Sequence, residues 1–169
     1  TIDYGPCAFV EAYDPHAVFS SIDTQGRYAF GNQPGIAQWN LARFAETLLP
    51  VLDESSERAV EMASAVINDF PAVYQARWLE VLRAKLGVDA SAADDEDLAL
   101  GSEYLKLLHE HGVDYTLGWR RLHDAAKGSD AALRALFGAG AAALALWLER
   151  WRKRAGADAG QGALPTRIT

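Results

Sequence analysis

The feature that most limits the fold of this 169-residue chain is a change of character near Gly35. Up to that point Gly5, Gly26, Gly31 and Gly35 alternate with Pro6, Pro15 and Pro34, a density of breakers that leaves no room for a long helix. Short extended pieces and turns are expected there. Asp23 with Gly26 suits a turn, residues 27–30 suit a brief strand, and Arg27 is expected to pair with a carboxylate for local order. Beyond that point the apolar residues fall three and four apart. Ile36, Trp39, Phe44, Leu48, Leu49 and Leu52 make one helical face, with Pro34 in a first turn where its missing donor costs little. The pattern places Trp39 in the core, while Asn40 either ties this helix to the irregular segment or faces solvent.

Further helices follow from the same periodicity. Val60, Ala63, Ile67, Phe70, Tyr74, Trp78, Leu82 and Leu86 step along one face of residues 54–86, as one helix or two. Pro71 predicts a kink or a restart, and Gly87 a terminator. Asp94, Asp95, Glu96 and Asp97 resemble a divalent-metal cluster in composition, yet acids in a first helical turn are favoured by the helix dipole, and Leu98, Leu100, Leu105 and Leu108 supply the helix that Gly112 closes. Asp114 is a cap for residues 115–127, ended by Gly128. Ser129 opens a short helix to Phe137, and Gly138-Ala139-Gly140 separates it from a strong helix former over 141–154. His109 and His111 stand two apart, so they point to different faces and cannot chelate one ion together.

Composition excludes several function classes. Sixteen Lys and Arg against 23 Asp and Glu give a net charge of −7, which argues against an electrostatic grip on nucleic acid or an anionic membrane. The basic run Arg150, Arg152, Lys153 and Arg154 around Trp151 could stack on a base, but cations at a helix C-terminus already have a dipole reason to be there. Cys7 is the one cysteine, so no internal disulfide or cysteine-based zinc cluster forms, and a reducing compartment fits. No apolar run of about 18 residues is expected to span a bilayer.

The opening stretch Thr1-Ile2-Asp3-Tyr4-Gly5-Pro6 carries the chemistry. Ile2 has strand character, Gly5 can turn and Pro6 stops a ladder, so Asp3 projects from a fixed bend. Two readings of the bend remain open: a metal-binding carboxylate, or a turn whose aspartate bonds its own backbone. Downstream stand Asp23-Thr24-Gln25-Gly26-Arg27-Tyr28, Asn32-Gln33-Pro34 and Trp39-Asn40-Leu41, in that order.

These four pieces in sequence resemble the selenoprotein O family, protein adenylyltransferases with a kinase-like fold. The resemblance is strongest over residues 1–52. It implies that Asp3 is the counterpart of the kinase Asp-Phe-Gly aspartate, a ligand of Mg²⁺ and, through it, of ATP. The family sets its presumed general base and a second metal ligand, an adjacent Asp-Asn pair, a few residues ahead of this motif, and its phosphate-binding residues farther upstream. The chain is therefore expected to be an inactive piece of an enzyme, with no catalytic base of its own. The family's cysteine near Phe19-Ser20 has no counterpart here, so redox control through it is not expected.

The expectation is thus a mainly α fold, the helical C-terminal-lobe portion of a protein-kinase-like fold with short strands in an irregular N-terminal segment. Residues 1–154 would form a single domain, irregular to 35 and helical after, and 155–169 a disordered tail. By the resemblance the parent moves AMP from ATP to Ser, Thr or Tyr hydroxyls of proteins, with Mg²⁺ as cofactor. Its partners are ATP and protein substrates, with no nucleic acid and no membrane. It is cytoplasmic in a bacterium, or mitochondrial as an option in a eukaryote. Kinase-type transfer of the γ-phosphate, or a non-catalytic helical interaction module, are the alternatives.

Overall fold

The computed structural model describes residues 10–90 and 94–158. Six α-helices make up most of it: α1 Gln33–Leu52, α2 Ser56–Leu86, α3 Asp94–Glu110, α4 Tyr115–Ala126, α5 Ala131–Phe137 and α6 Ala141–Asp158. Single 3₁₀ turns precede α1 (Phe30–Asn32) and α6 (Gly138–Gly140). The mainly α expectation holds. Among the described residues there is no strand, only an isolated antiparallel bridge between Ala12 and Asp114. The chain divides into two compact units, one of residues 1–8 and 15–77, the other of 9–14 and 78–169, with the division falling inside α2.

In the first unit the brief strand expected over 27–30 is a turn leading into the 3₁₀ helix. The cause is Asp23, whose carboxylate accepts from the backbone N–H groups of Arg27 (2.8 Å) and Tyr28 (2.7 Å). Those amides point at a side chain, so they cannot donate to a neighbouring strand. Pro34 sits in the first turn of α1, as its chemistry predicts. The restart foreseen at Pro71 does not occur: α2 runs unbroken for 31 residues. Proline there removes the N–H that would bond the Ile67 carbonyl four residues back. The side-chain amide of Gln38, on α1, donates to that carbonyl at 3.0 Å. Trp39 is not in a core but 46% exposed, and α1 has no buried residue at all.

The second unit holds the core. Tyr104 of α3 is its centre, with ring centroids of Trp147 at 4.5 Å, Trp119 at 4.9 Å and Phe137 at 6.3 Å. Its hydroxyl donates to the Gly118 carbonyl at 2.8 Å, and burial pushes its ionisation well above the ordinary phenol range. Leu82, Leu86, Leu108, Leu122, Leu133, Leu144 and Leu148 fill the space around it. At Gly101, where an added Cβ would lie 2.9 Å from a Leu82 methyl, the absence of a side chain lets α3 lie close on α2. α2 ends at Gly87, in the left-handed region with φ 69°, and its terminal carbonyl at Leu86 is capped by the Trp151 indole N–H at 2.8 Å.

Two other expectations change. The stretch Ala131–Gly156 is in fact long and apolar enough, by composition, to cross a membrane. Here it is α5, a 3₁₀ turn and most of α6, with Leu133, Phe137, Leu144, Trp147, Leu148 and Trp151 buried in the core. Helix α6 also continues to Asp158, past the end foreseen at Arg154, while 159–169 of the expected tail lie outside the described residues.

Candidate functional site

The motif residues between Asp23 and Leu41 build a turn knitted to itself. Besides the two amides held by the Asp23 carboxylate, Gly26 donates to the Asp23 carbonyl at 3.2 Å and Ala29 to the Gly26 carbonyl at 3.0 Å. Gly26 adopts φ 66°, a conformation that costs other residues a clash at Cβ. The Asn32 side-chain amide closes the turn on the Gly26 carbonyl at 3.0 Å, and that of Gln33 on the Tyr28 carbonyl at 2.7 Å. Asp23, Gly26, Asn32 and Gln33 are therefore spent on backbone geometry.

Arg27 points its guanidinium at aromatic faces, 4.7 Å from the Trp39 ring centroid and 5.7 Å from that of Tyr28. Arg43 lies 5.7 Å from the same Trp39 ring. A cation on an indole face is an attraction of about 0.5–1 kcal/mol at exposed sites, so the motif tryptophan is held by two arginines. Asn40 is half-buried on the same helix.

The one residue that sequence reasoning assigned to metal and ATP, Asp3, lies outside the described residues, as does the strand expected around Ile2. Among the described residues no group of three His, Cys, Asp or Glu side chains could hold a metal ion. The acidic run at the start of α3 works instead as an anchor, in a way that its sequence did not disclose. Asp97 is fully buried, with Oδ2 2.7 Å from Arg83 Nε and Oδ1 2.7 Å from Arg154 Nε. Arg83 reaches on to Asp94 at 2.6 Å, and Arg154 to the Asp89 carbonyl at 2.8 Å. These carboxylates keep the Arg83 guanidinium protonated even more firmly than usual, the Asp94 bond first and that to Asp97 next.

The three arginines of the basic run on α6 are likewise paired within the fold. Arg150 pairs with Glu103, Arg152 with Asp130, and the Trp151 indole is buried. Hydrogen bonds from Arg134 and then Arg152 hold the Asp130 carboxyl down to about 2. His109 and His111 part company as their spacing predicts: His109 faces the Tyr13 carbonyl, and the His111 ring lies under Gly140, 6.0 Å from Phe137. Gln38 was missed as a structural residue. The available signal was Pro71, four positions after a carbonyl that had to find another donor.

Comparison with known proteins bears on most of the chain. A profile of the family described as "Protein adenylyltransferase SelO" matches residues 1–157. A protein nucleotidyltransferase YdiU of Chromobacterium violaceum is 54% identical over 155 residues, covering 91% of this chain and 32% of the relative. Its namesake in Cereibacter sphaeroides is 53% identical over 161 residues, 95% of this chain and 33% of the relative. One in Agrobacterium fabrum is 51% identical over 158 residues, 94% and 32% respectively. The chain spans about a third of the length of the curated relatives it matches.

Proposed function

Since the chain belongs to the SelO family of protein adenylyltransferases, we propose that it is part of a protein that transfers AMP from ATP to Ser, Thr or Tyr hydroxyls of other proteins. The observation that carries this reading is the match over residues 1–157, together with identities above 50% to proteins named nucleotidyltransferases. In this reading the helices belong to the C-terminal lobe of a kinase-like fold. Asp3 holds Mg²⁺ and, through it, the ATP phosphates, together with groups beyond these residues. Mg²⁺, when bound, offsets the negative charge that develops on phosphate oxygens during transfer. The Asp23 turn, closed by Asn32 and Gln33, fixes the backbone that enters α1.

Incubation of the full-length protein with ATP labelled in the α- or the γ-phosphate, followed by mass spectrometry of modified peptides, tests the chemistry. AMP adducts are expected, lost in Asp3→Ala by on the order of a thousandfold or more in rate. Transfer of the γ-label alone would replace adenylylation by phosphorylation. Near-normal activity in a folded Asp3→Ala protein would remove Asp3 from the site. Residues 1–169 alone are expected to bind Mg-ATP weakly, because one carboxylate is too few ligands. Calorimetry that found micromolar affinity would contradict this.

A further inference from the structure

The chain has four lysines, and the second unit treats them unequally: Lys106, Lys127 and Lys153 are exposed, whereas Lys85 is half-buried. Lys85 lies in the last turn of α2, with Nζ 5.3 Å from the Trp119 ring centroid and 5.9 Å from that of Tyr115. Tyr13 stacks on Tyr115 with centroids 5.6 Å apart, which extends the aromatic wall beside the amine. These residues all belong to the second unit. Among the described residues no carboxylate pairs with Lys85, while Lys106 has Glu110 at 3.6 Å.

A helix C-terminus attracts a cation, but the last carbonyls of α2 already have donors: Arg83 takes the Val88 N–H at 3.1 Å and Leu86 the Trp151 indole N–H at 2.8 Å. Ring faces attract an ammonium too, yet they return no hydrogen bonds for the water it gives up. Partial burial accordingly lowers the pKa of this lysine, so at neutral pH more of it carries a free lone pair than an ordinary lysine does. The cluster also contains a buried donor without an acceptor, the Trp119 indole N–H. Burial pushes the Tyr115 hydroxyl up, and Trp119 offsets part of this without completing a hydrogen bond to it.

We propose that Lys85, held against Trp119 and Tyr115 with no counter-ion, is a modification site acylated at Nζ by small acyl phosphates. A small anionic donor is drawn by the unpaired cation and passes where a bulky donor is hindered. The uncharged amine adds to the carbonyl carbon and forms the C–N bond. The bond from that carbon to the phosphate oxygen breaks, phosphate leaves with the electron pair, and the surplus proton on nitrogen passes to water. The products are a neutral amide and inorganic phosphate, with no change of oxidation state. The amide brings a carbonyl oxygen, an acceptor, into the cluster whose Trp119 N–H lacks one.

The test treats the full-length protein with acetyl phosphate and follows each lysine by mass spectrometry. At about pH 7.5, Lys85 is expected to be acetylated about fivefold or more faster than Lys106, Lys127 and Lys153, although those are more exposed. Its rate should also level off at a lower pH than theirs. In urea the four rates should converge. Tyr115→Ala, which admits water to the amine, should cut the advantage to under about twofold, with circular dichroism verifying its helices. The wild-type rates carry the test without that variant. A Lys85 rate no faster than those of the exposed lysines, or a plateau at no lower pH, overturns the proposal. An advantage that persists in urea or in Tyr115→Ala overturns it too, because the cluster is then not its source.

Discussion

Residues 15–77 contain three of the four family motifs but bury only Ala29 and Ala59, whereas residues 78–158 contain none of the motifs and hold every large buried side chain among the described residues. In the first unit the distinctive residues satisfy backbone groups: Asp23 for Arg27 and Tyr28, Asn32 for Gly26, Gln33 for Tyr28, Gln38 for Ile67. In the second unit the energy lies in aromatic packing around Tyr104 and in the Asp97 ion network. Conspicuous sequence and buried area are therefore separate properties here. A motif can be recognisable because it must hold one backbone path, with little apolar surface behind it.

The largest test of that contrast compares two aromatic truncations. Trp147→Ala removes a side chain that is 1% exposed, stacked on Tyr104 and hydrogen-bonded to the Leu100 carbonyl. It should cost about 3–5 kcal/mol by urea denaturation. Phe44→Ala, at a position 60% exposed, should stay within about 0.5 kcal/mol. Equal losses would erase the distinction between the units.

Asp97→Ala should be nearly as costly, about 3–5 kcal/mol, because it leaves the Arg154 and Arg83 guanidiniums facing a low-dielectric gap. Adding Arg154→Met should recover part of that loss. If the double variant is no better than the single one, uncompensated charge is not the cause.

A smaller effect is expected where a side chain satisfies a carbonyl freed by proline. Gln38→Leu should destabilise by about 1–3 kcal/mol and raise hydrogen exchange in α2 around Phe70. Combining it with Pro71→Ala, which restores the missing N–H, should reduce the loss. An additive penalty would show that Gln38 does not substitute for the helix bond.

The pH dependence of Asp130 should be about 1 kcal/mol, discounted for its partial exposure. Its carboxyl titrates below the unfolded value because of Arg134 and then Arg152, so the ion pairs stabilise the fold above about pH 4 and are lost as pH falls toward 2. Asp130→Asn should flatten stability in that window; an unchanged slope would remove Asp130 as its source. Smallest of all, Arg27→Ala should cost about 0.5–1 kcal/mol and alter Trp39 fluorescence. A loss above about 2 kcal/mol would mean that the first unit depends on this stack as heavily as the second depends on its core.

Local chemistry was legible from the residues alone. Pro34 opening α1, Asp114 capping α4, the acids beginning α3 and the stop at Gly87 all follow from backbone sterics and from hydrogen bonds within four or five positions, which a linear sequence displays directly. The four ordered motifs also established the family. What only the tertiary structure decided is which residues meet at a distance. Asp97 is buried and Asp95 is exposed because Arg83 and Arg154, 14 and 57 positions away, arrive at one carboxylate and not at the other. α2 survives Pro71 because Gln38 reaches it from 29 residues upstream. Trp39 sits on helical spacing yet remains exposed, since periodicity marks a face as apolar without specifying what packs against it.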